Sequence, residues 1–148
     1  MATETERKFL VTDNSYRQLA HAHRYITQGY ISRRKEGTVR VRIADKRAYL
    51  TVKGVTRGIS RDEWEFDIPA DDARAMLDRV CEGNIIEKTR YLVNWDGLVW
   101  EVDEFISPVK MTVAEVELPA DLADAELPLP PFVGREVSHD PAYFNSNL

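Results

Sequence analysis

The chain has 148 residues, of which 43% are hydrophobic and 30% charged, and its formal net charge is −5. These values are typical of one globular domain over residues 1–148, and they argue against a nucleic-acid partner bound through an overall basic surface. The single cysteine, Cys81, excludes an intramolecular disulfide and favours a reducing, cytoplasmic location. No stretch approaches the roughly 18 consecutive apolar residues of a membrane span, so no membrane partner is expected.

Charged side chains recur at every second residue in seven segments of the chain. Because successive side chains of a strand point to opposite faces, this period predicts β-strands with one charged face. The segments cover residues 4–9, 39–43, 49–53, 63–68, 88–93, 100–103 and 115–118. Gly54, Gly58 and the stretch 94–97 supply turns between them, which favours antiparallel hairpins.

Two other segments predict helices. The first covers about residues 14–23, after the cap candidate Asp13, and would carry His21 and His23 on its surface. The second covers residues 69–82 and would end before Gly83. The proline-rich tail after Pro119 is expected to be irregular, with at most a short helical turn.

Charges of one sign are sorted onto the same strand face. The acidic pairs are Glu4 with Glu6, Glu63 with Glu65, Glu101 with Asp103, and Glu115 with Glu117. The two α-carbons of each pair would lie roughly 7 Å apart on one face. Such pairs are unfavourable unless something lies between their carboxylates, and a face built only for solubility would mix the two signs.

Acidic and basic faces that converge on a common lumen would form a site for a metal-bound polyanion. The carboxylates offer hard oxygen ligands for Mg²⁺ or Mn²⁺. The basic side chains would hold phosphate groups, the arginines through forked hydrogen bonds. These basic residues are Lys8, Arg40, Arg42, Lys53, Lys88 and Arg90. The alternative is an exposed sheet covered with salt bridges, which usually stabilise a protein little.

The order of these motifs resembles the CYTH superfamily, the triphosphate tunnel metalloenzymes. Glu4-Thr5-Glu6-Arg7-Lys8 is similar to the Glu-x-Glu-x-Lys signature of that family. The later motifs follow in the family's order: Arg40-Val41-Arg42, Leu50 to Gly54, Arg61 to Glu65, Lys88-Thr89-Arg90, Glu101-Val102-Asp103 and Glu115-Val116-Glu117. The resemblance extends from Glu4 to Glu117 and more loosely to Tyr143.

The resemblance implies a mainly β (α+β) fold, a closed antiparallel eight-stranded barrel whose tunnel has a charged lumen and whose helices pack outside. It implies one or two Mg²⁺ or Mn²⁺ ions, held by Glu4, Glu6, Glu115 and Glu117 with Glu63 and Asp103 as further candidates. The implied triphosphate-binding residues are Lys8, Tyr30, Arg40, Arg42, Lys53, Arg61, Lys88 and Arg90. The implied catalytic residues are Lys8, Glu63, Glu65, Lys88 and Asp103.

Several functions fit this pattern. Hydrolysis of inorganic triphosphate to pyrophosphate and phosphate is the favoured one, because the resemblance is to short bacterial members of the family and no segment indicates a binding site for a base or a thiazole. Thiamine triphosphatase, a class IV adenylate cyclase and a non-catalytic polyphosphate or nucleotide sensor are the alternatives. The partner in each case is a small-molecule triphosphate. A homodimer is compatible with an outer apolar face that helices do not fully cover.

Overall fold

The computed structural model describes residues 1–148 as nine strands and two helices. The strands are β1 (Ala2–Val11), β2 (Ala22–Arg34), β3 (Gly37–Ala44), β4 (Arg47–Lys53), β5 (Ser60–Ile68), β6 (Glu82–Trp95), β7 (Leu98–Ser107), β8 (Thr112–Glu117) and β9 (Val133–Glu136). The helices are α1 (Tyr16–Leu19) and α2 (Ala70–Arg79). Three single 3₁₀ turns follow in the tail, at Ala120–Leu122, Pro141–Tyr143 and Asn145–Asn147. None of the helices is long and apolar enough to cross a bilayer.

Strands β1 to β8 close into an antiparallel barrel because β1 pairs along both of its edges. The neighbour order is β5-β4-β3-β2-β6-β7-β8-β1, and the pairing of β1 with β5 completes the circle. Closure leaves no open edge between these eight strands. The rest of that edge of β1, from Phe9 onward, pairs with the short strand β9. The predicted eight-stranded antiparallel barrel is therefore confirmed.

The hairpin between β6 and β7 confirms the turn expected at residues 94–97. Only Asp96 and Gly97 separate the two strands, and their φ angles are 51° and 78°. Positive φ at both central residues gives a turn whose twist matches that of the flanking strands. Asp and Gly tolerate this conformation better than most residues.

The first helix is much shorter than predicted. It ends at Leu19, and β2 begins at Ala22, so His23 lies on a strand and not on a helix, while His21 lies between the two elements. Strand β2 has 13 residues and hydrogen-bonds to β3 on one side and β6 on the other. The backbone hydrogen bonds along both edges of β2 outweigh the weak helix propensity of this segment. The single turn of α1 also has no side-chain cap.

The second helix and the tail also differ from the prediction. Helix α2 ends at Arg79, and Gly83 lies within β6 with a φ of 69° instead of ending a helix. The tail is more ordered than expected, since it contains β9 and three 3₁₀ turns. The open half-edge of β1 explains β9, because it offers unpaired backbone groups that a passing segment can satisfy.

Most of the apolar core lies outside the barrel wall. Trp100 and Phe132 are fully buried together with Phe9 and Tyr16, so that α1 and the tail cover one side of the wall. Helix α2 covers another side through Leu77 and its neighbours, which pack on β3 and β4. The helices therefore pack outside, as predicted. Inside the barrel a smaller apolar cluster that includes Phe105 fills one end, and the rest of the lumen is left to polar side chains.

Candidate active site

The lumen of the barrel contains one cavity of about 310 Å³ whose wall is almost entirely polar. Only three of its twenty-three lining residues are hydrophobic. Its basic residues are Lys8, Arg40, Arg42, Lys53, Arg61, Lys88 and Arg90. Its acidic residues are Glu4, Glu6, Glu63, Glu65, Glu101, Glu115 and Glu117. With Tyr30 also on the wall, every candidate residue from the sequence except Asp103 lines this cavity.

Strand register brings acids and bases of different strands together. On β1, Glu6 lies opposite Glu117 of β8, and Lys8 lies opposite Glu115. The Lys8 Nζ is 3.2 Å from a Glu115 carboxylate oxygen, and both side chains are buried. This pairing holds the pKa of Glu115 well below its usual value, since Lys8 and Arg90 outweigh the opposing effect of burial.

A second ion pair joins β4 to β1 and β5. The Lys53 Nζ donates to both carboxylate oxygens of Glu4, at 2.7 and 3.0 Å, and lies 3.5 Å from Glu63. Hydrogen bonding to Glu4, together with burial, raises the pKa of Glu63 to about 7. This part of the lumen carries more carboxylates than its lysine can neutralise.

Glu6 and Glu117 form no ion pair. Burial, followed by the charges of Glu115 and Glu4, raises the pKa of Glu6 well above its usual value. Burial and the charge of Glu4 also raise the pKa of Glu117. An added cation would favour the ionised form of both groups.

The carboxylates of β1 and β8 fit a divalent cation by their chemistry. Glutamate oxygens are hard ligands of the kind that Mg²⁺ and Mn²⁺ prefer. As the side chains stand, no three acidic or imidazole groups converge into a ready ligand set. Lys8 and Lys53 account for this in part, because they hold Glu115 and Glu4 in ion pairs.

Asp103 lies behind the wall of the cavity. It is fully buried, and it accepts a forked pair of hydrogen bonds from Arg90 Nε and Nη2, at 2.8 and 2.9 Å. It also accepts from Lys88 Nζ at 2.7 Å. These two cations outweigh burial and lower the pKa of Asp103. Both of its oxygens are thus occupied, and the carboxylate fixes two cations at the wall.

Lys88 is fully buried and yet lines the cavity. Burial lowers its pKa to about 7, because the repulsion of Arg90 and Arg42 adds to it and the attraction of Asp103 offsets only part of it. Its Nζ donates a second hydrogen bond, to Asn145 Oδ1 at 3.0 Å. A lysine that titrates near neutrality can accept and release a proton in the physiological range.

The arginines of β3 have unsatisfied charge. Arg42 donates from Nε to Gln28 Oε1 at 2.8 Å, and its pKa is lowered to about 9 by burial and by the neighbouring Arg40 and Arg90. Arg40 lies 3.7 Å from Glu65, but its buried Nε has no hydrogen-bond partner. Buried donors without partners such as Arg40 Nε are rare in folded proteins, and Arg42 lies among other cations without an ion pair of its own. An anion in the cavity would complement both side chains.

Sequence reasoning assigned no individual role to three of the residues at this site. Glu101 lines the cavity and accepts from Arg90 Nη1 at 3.0 Å; its period-two spacing with Asp103 was the available signal. Gln28 and Asn145 contact Arg42 and Lys88, but they carry no charge and follow no period. Nothing in the sequence pattern distinguished them from other amide side chains.

The model of the CYTH domain family matches residues 2–136 of the chain. The chain belongs to the CYTH family. The match covers all nine strands and every candidate residue of the lumen, so the strands that carry the alternating charges are the ones that the family shares.

Relatives of this CYTH protein are similar over their whole length. An inorganic triphosphatase of Acetivibrio thermocellus is 45% identical, over 100% of this chain and 94% of the relative. An inorganic triphosphatase of Nitrosomonas europaea is 36% identical, over 99% of this chain and 96% of the relative. A crystal structure of an inorganic triphosphatase superposes with a TM-score of 0.64 at 31% identity, over 99% of this chain and 93% of that one.

Proposed function

We propose that this CYTH protein hydrolyses inorganic triphosphate to pyrophosphate and phosphate. One observation carries the proposal: a single lumen holds carboxylates that form no ion pair, Glu6 and Glu117, and arginines whose polar groups are incompletely paired. Arg42 forms no ion pair, and the buried Nε of Arg40 has no hydrogen-bond partner. A polyphosphate that carries a divalent cation complements both sets at once. The names of the two relatives, each an inorganic triphosphatase similar over nearly the full chain, support the same activity.

The wall of the cavity favours a substrate without an organic group. A nucleobase or a thiazole is bound mainly by apolar and aromatic side chains. This cavity has only three hydrophobic residues among twenty-three, and charged groups occupy most of the rest. Inorganic triphosphate is therefore a better fit than a nucleotide or thiamine triphosphate.

In this proposal the basic wall binds the phosphate oxygens. Arg40, Arg42 and Arg90 offer planar guanidinium groups, and Arg42 is held in place through its Nε. Lys53, Arg61 and Tyr30 also line the cavity. Lys8 and Lys53 can exchange their carboxylate partners for phosphate oxygens.

Mg²⁺ or Mn²⁺ would be held by Glu4, Glu6, Glu115 and Glu117, with Glu63 as a further candidate. Such an ion polarises phosphate oxygens and stabilises the charge of the leaving group when it is bound. The four principal carboxylates come from the adjacent strands β1 and β8, so the barrel itself fixes their spacing.

The remaining residues position the attacking water and its proton. Water attacks the terminal phosphorus in line, a new P–O bond forms, and the bond to the bridging oxygen breaks so that pyrophosphate leaves. In this proposal Lys88 accepts the proton of the water, and the hydrogen bonds of Asp103 to Lys88 and Arg90 support its role in positioning them. Glu65, which accepts from Thr51 at 2.9 Å, and Glu63 are the carboxylates that can orient the water.

The test is product analysis over a panel of substrates. Purified protein is incubated with inorganic triphosphate, ATP or thiamine triphosphate, in Mg²⁺, in Mn²⁺ and in chelator, and the products are identified by phosphorus NMR. We expect equimolar phosphate and pyrophosphate from triphosphate, fastest of the three substrates, and no turnover in chelator. Cyclic AMP from ATP, or no turnover of any substrate by folded protein, would contradict the proposal.

A further inference from the structure

Two amide side chains connect the arginine wall to Lys88. Gln28 on β2 is fully buried, and its Oε1 accepts from Arg42 Nε at 2.8 Å. Its Nε2 donates to Asn145 Oδ1 at 3.1 Å, and the same Oδ1 accepts from Lys88 Nζ at 3.0 Å. One continuous chain of hydrogen bonds therefore runs from Arg42 to Lys88.

The chemistry of the donors fixes the orientation of both amides. Arginine, and lysine in its charged form, can only donate, so the oxygen of Gln28 faces Arg42 and the oxygen of Asn145 faces the ammonium of Lys88. The NH₂ group of Gln28 then points at Asn145, where it finds the same oxygen. No alternative flip of either amide satisfies all of these contacts.

The segment that carries Asn145 is itself anchored at one end of the lumen. Lys8 Nζ donates to the backbone oxygen of Tyr143 at 2.8 Å, and Arg33 Nη1 donates to that of Ser146 at 2.7 Å. Tyr143 and Leu148 pack against an apolar cluster of lumen residues that includes Phe105. Asn145 is thus held from both sides in the sequence, and the tail forms part of the cavity wall.

We infer that Gln28 and Asn145 are positioning residues, which hold Arg42 and Lys88 in fixed relation to each other across the site. The inference rests on the proposed function, in which Arg42 binds phosphate and Lys88 accepts the proton of water. A neutral amide suits this place. It restrains the ammonium of Lys88 through an acceptor oxygen without placing another negative charge beside a polyanionic substrate.

The experiment compares substitutions of two asparagines of the same segment. Asn145→Ala removes the acceptor shared by Lys88 and Gln28. Asn147→Ala is the matched control, since Asn147 is exposed and donates only to the backbone oxygen of Pro141, at 2.9 Å. We expect Asn145→Ala to lower kcat for triphosphate about 10-fold with little change in KM. We expect Asn147→Ala to stay close to the original chain.

Asn145→Asp separates positioning from a merely structural role. It keeps the acceptor oxygen, so kcat should recover relative to Asn145→Ala, while the added negative charge should raise KM for the polyanion. Equal activity of Asn145→Ala and the original chain, or equal losses in both alanine variants, would overturn the inference. An original chain that is inactive on triphosphate would instead contradict the proposed function.

A double substitution tests the connection through Gln28. Gln28→Met keeps the length of the side chain and removes both hydrogen-bonding groups. Because Gln28 and Asn145 act as one chain, the double variant should lose little more activity than the worse single variant. Losses that multiply fully would show that the two residues act independently, and would overturn the connection. Thermal unfolding of each variant shows whether the barrel is intact.

Discussion

Glu6 and Glu117 face each other across two neighbouring strands with no cation between them. Burial first, and then the charge of other carboxylates of the lumen such as Glu4, raises the pKa of both groups, so their ionised forms cost stability. On β3, Arg42 forms no ion pair and the buried Nε of Arg40 has no partner. A fold that keeps incompletely paired charges of both signs in one cavity has given up stability where a ligand restores it.

Replacement of Glu6 by glutamine should separate stability from function. We expect Glu6→Gln to unfold at a higher temperature than the original chain in chelator, because a neutral side chain of the same shape replaces a crowded carboxylate. We also expect triphosphate hydrolysis to need about 10- to 100-fold more Mg²⁺ for half-maximal rate. Thermal unfolding and a Mg²⁺ titration of activity measure the two effects.

Glu36→Gln provides the control for this comparison. Glu36 is exposed between β2 and β3 and lies 3.8 Å from Arg34, outside the lumen. It should change neither the unfolding temperature in chelator nor the Mg²⁺ requirement. If Glu6→Gln behaved in the same way, Glu6 would not belong to a metal-dependent site.

Charged side chains at every second residue were sufficient to predict most of the residues that line the lumen. Lys8, Arg40 and Glu115 each stand two positions from another charged residue that shares their face. Gln28 and Asn145 lack that signal, because an amide is equally common on surfaces and in turns. Asp103 followed the period, yet the sequence could not show that Lys88 and Arg90 occupy both of its oxygens.

Strands could be predicted where one of their faces carries charged side chains, and the other elements could not be placed reliably. Strand β2 was missed because its side chains toward the lumen, such as Gln28 and Tyr30, are uncharged. Strand β9 exists only because β1 leaves half an edge unpaired, which is a property of the closed barrel and not of residues 133–136. Helix α1 is one turn long and depends on its contacts with the wall.

The contact of α1 with β7 should depend on pH. Glu104 accepts from Arg17 Nε and Nη2, at 2.7 and 2.9 Å, and from the hydroxyl of Tyr16. The hydrogen bonds from Arg17 contribute most to lowering the pKa of Glu104 below its usual 4.5. A carboxylate whose pKa is lowered in the folded state stabilises the protein above its unfolded pKa. That stabilisation is lost as the pH falls through the lowered value.

Glu104→Gln should therefore lower the free energy of unfolding by about 1 kcal/mol at pH 7, a modest amount because Arg17 is largely exposed. The difference from the original chain should shrink as the pH falls below 4.5 through the lowered pKa of Glu104. Urea unfolding at a series of pH values measures it. A difference that is the same at every pH would show that the carboxylate charge does not contribute.

At the scale of the whole molecule, the barrel separates an apolar outer layer from a charged lumen, because successive side chains of each strand point to opposite faces. Apolar side chains such as Trp100 and Val102 point to the outer core, while their neighbours Glu101 and Asp103 point inward. Closure turns several charged faces into one enclosed site, which no single strand could form. The homodimer and the cytoplasmic location stay predictions, because they concern surroundings that the fold of one chain does not determine.

Arg7 and Lys8 are adjacent basic residues on opposite sides of this wall. Lys8 lies in the lumen, 3.2 Å from Glu115. Arg7 points outward and forms an ion pair of 2.7 Å with Glu136. Their substitution by alanine removes one positive charge from each side of the same strand, so it compares the lumen with the outer surface directly.

The measurement that tests the account most directly is kcat/KM for inorganic triphosphate in these two variants. We predict that Lys8→Ala loses about 100-fold or more, because it removes a buried cation from the substrate site. Arg7→Ala should stay within about threefold, although it is expected to unfold more easily. Equal losses in the two variants, or full activity of Lys8→Ala, would contradict the claim that the charged lumen is where triphosphate binds and reacts.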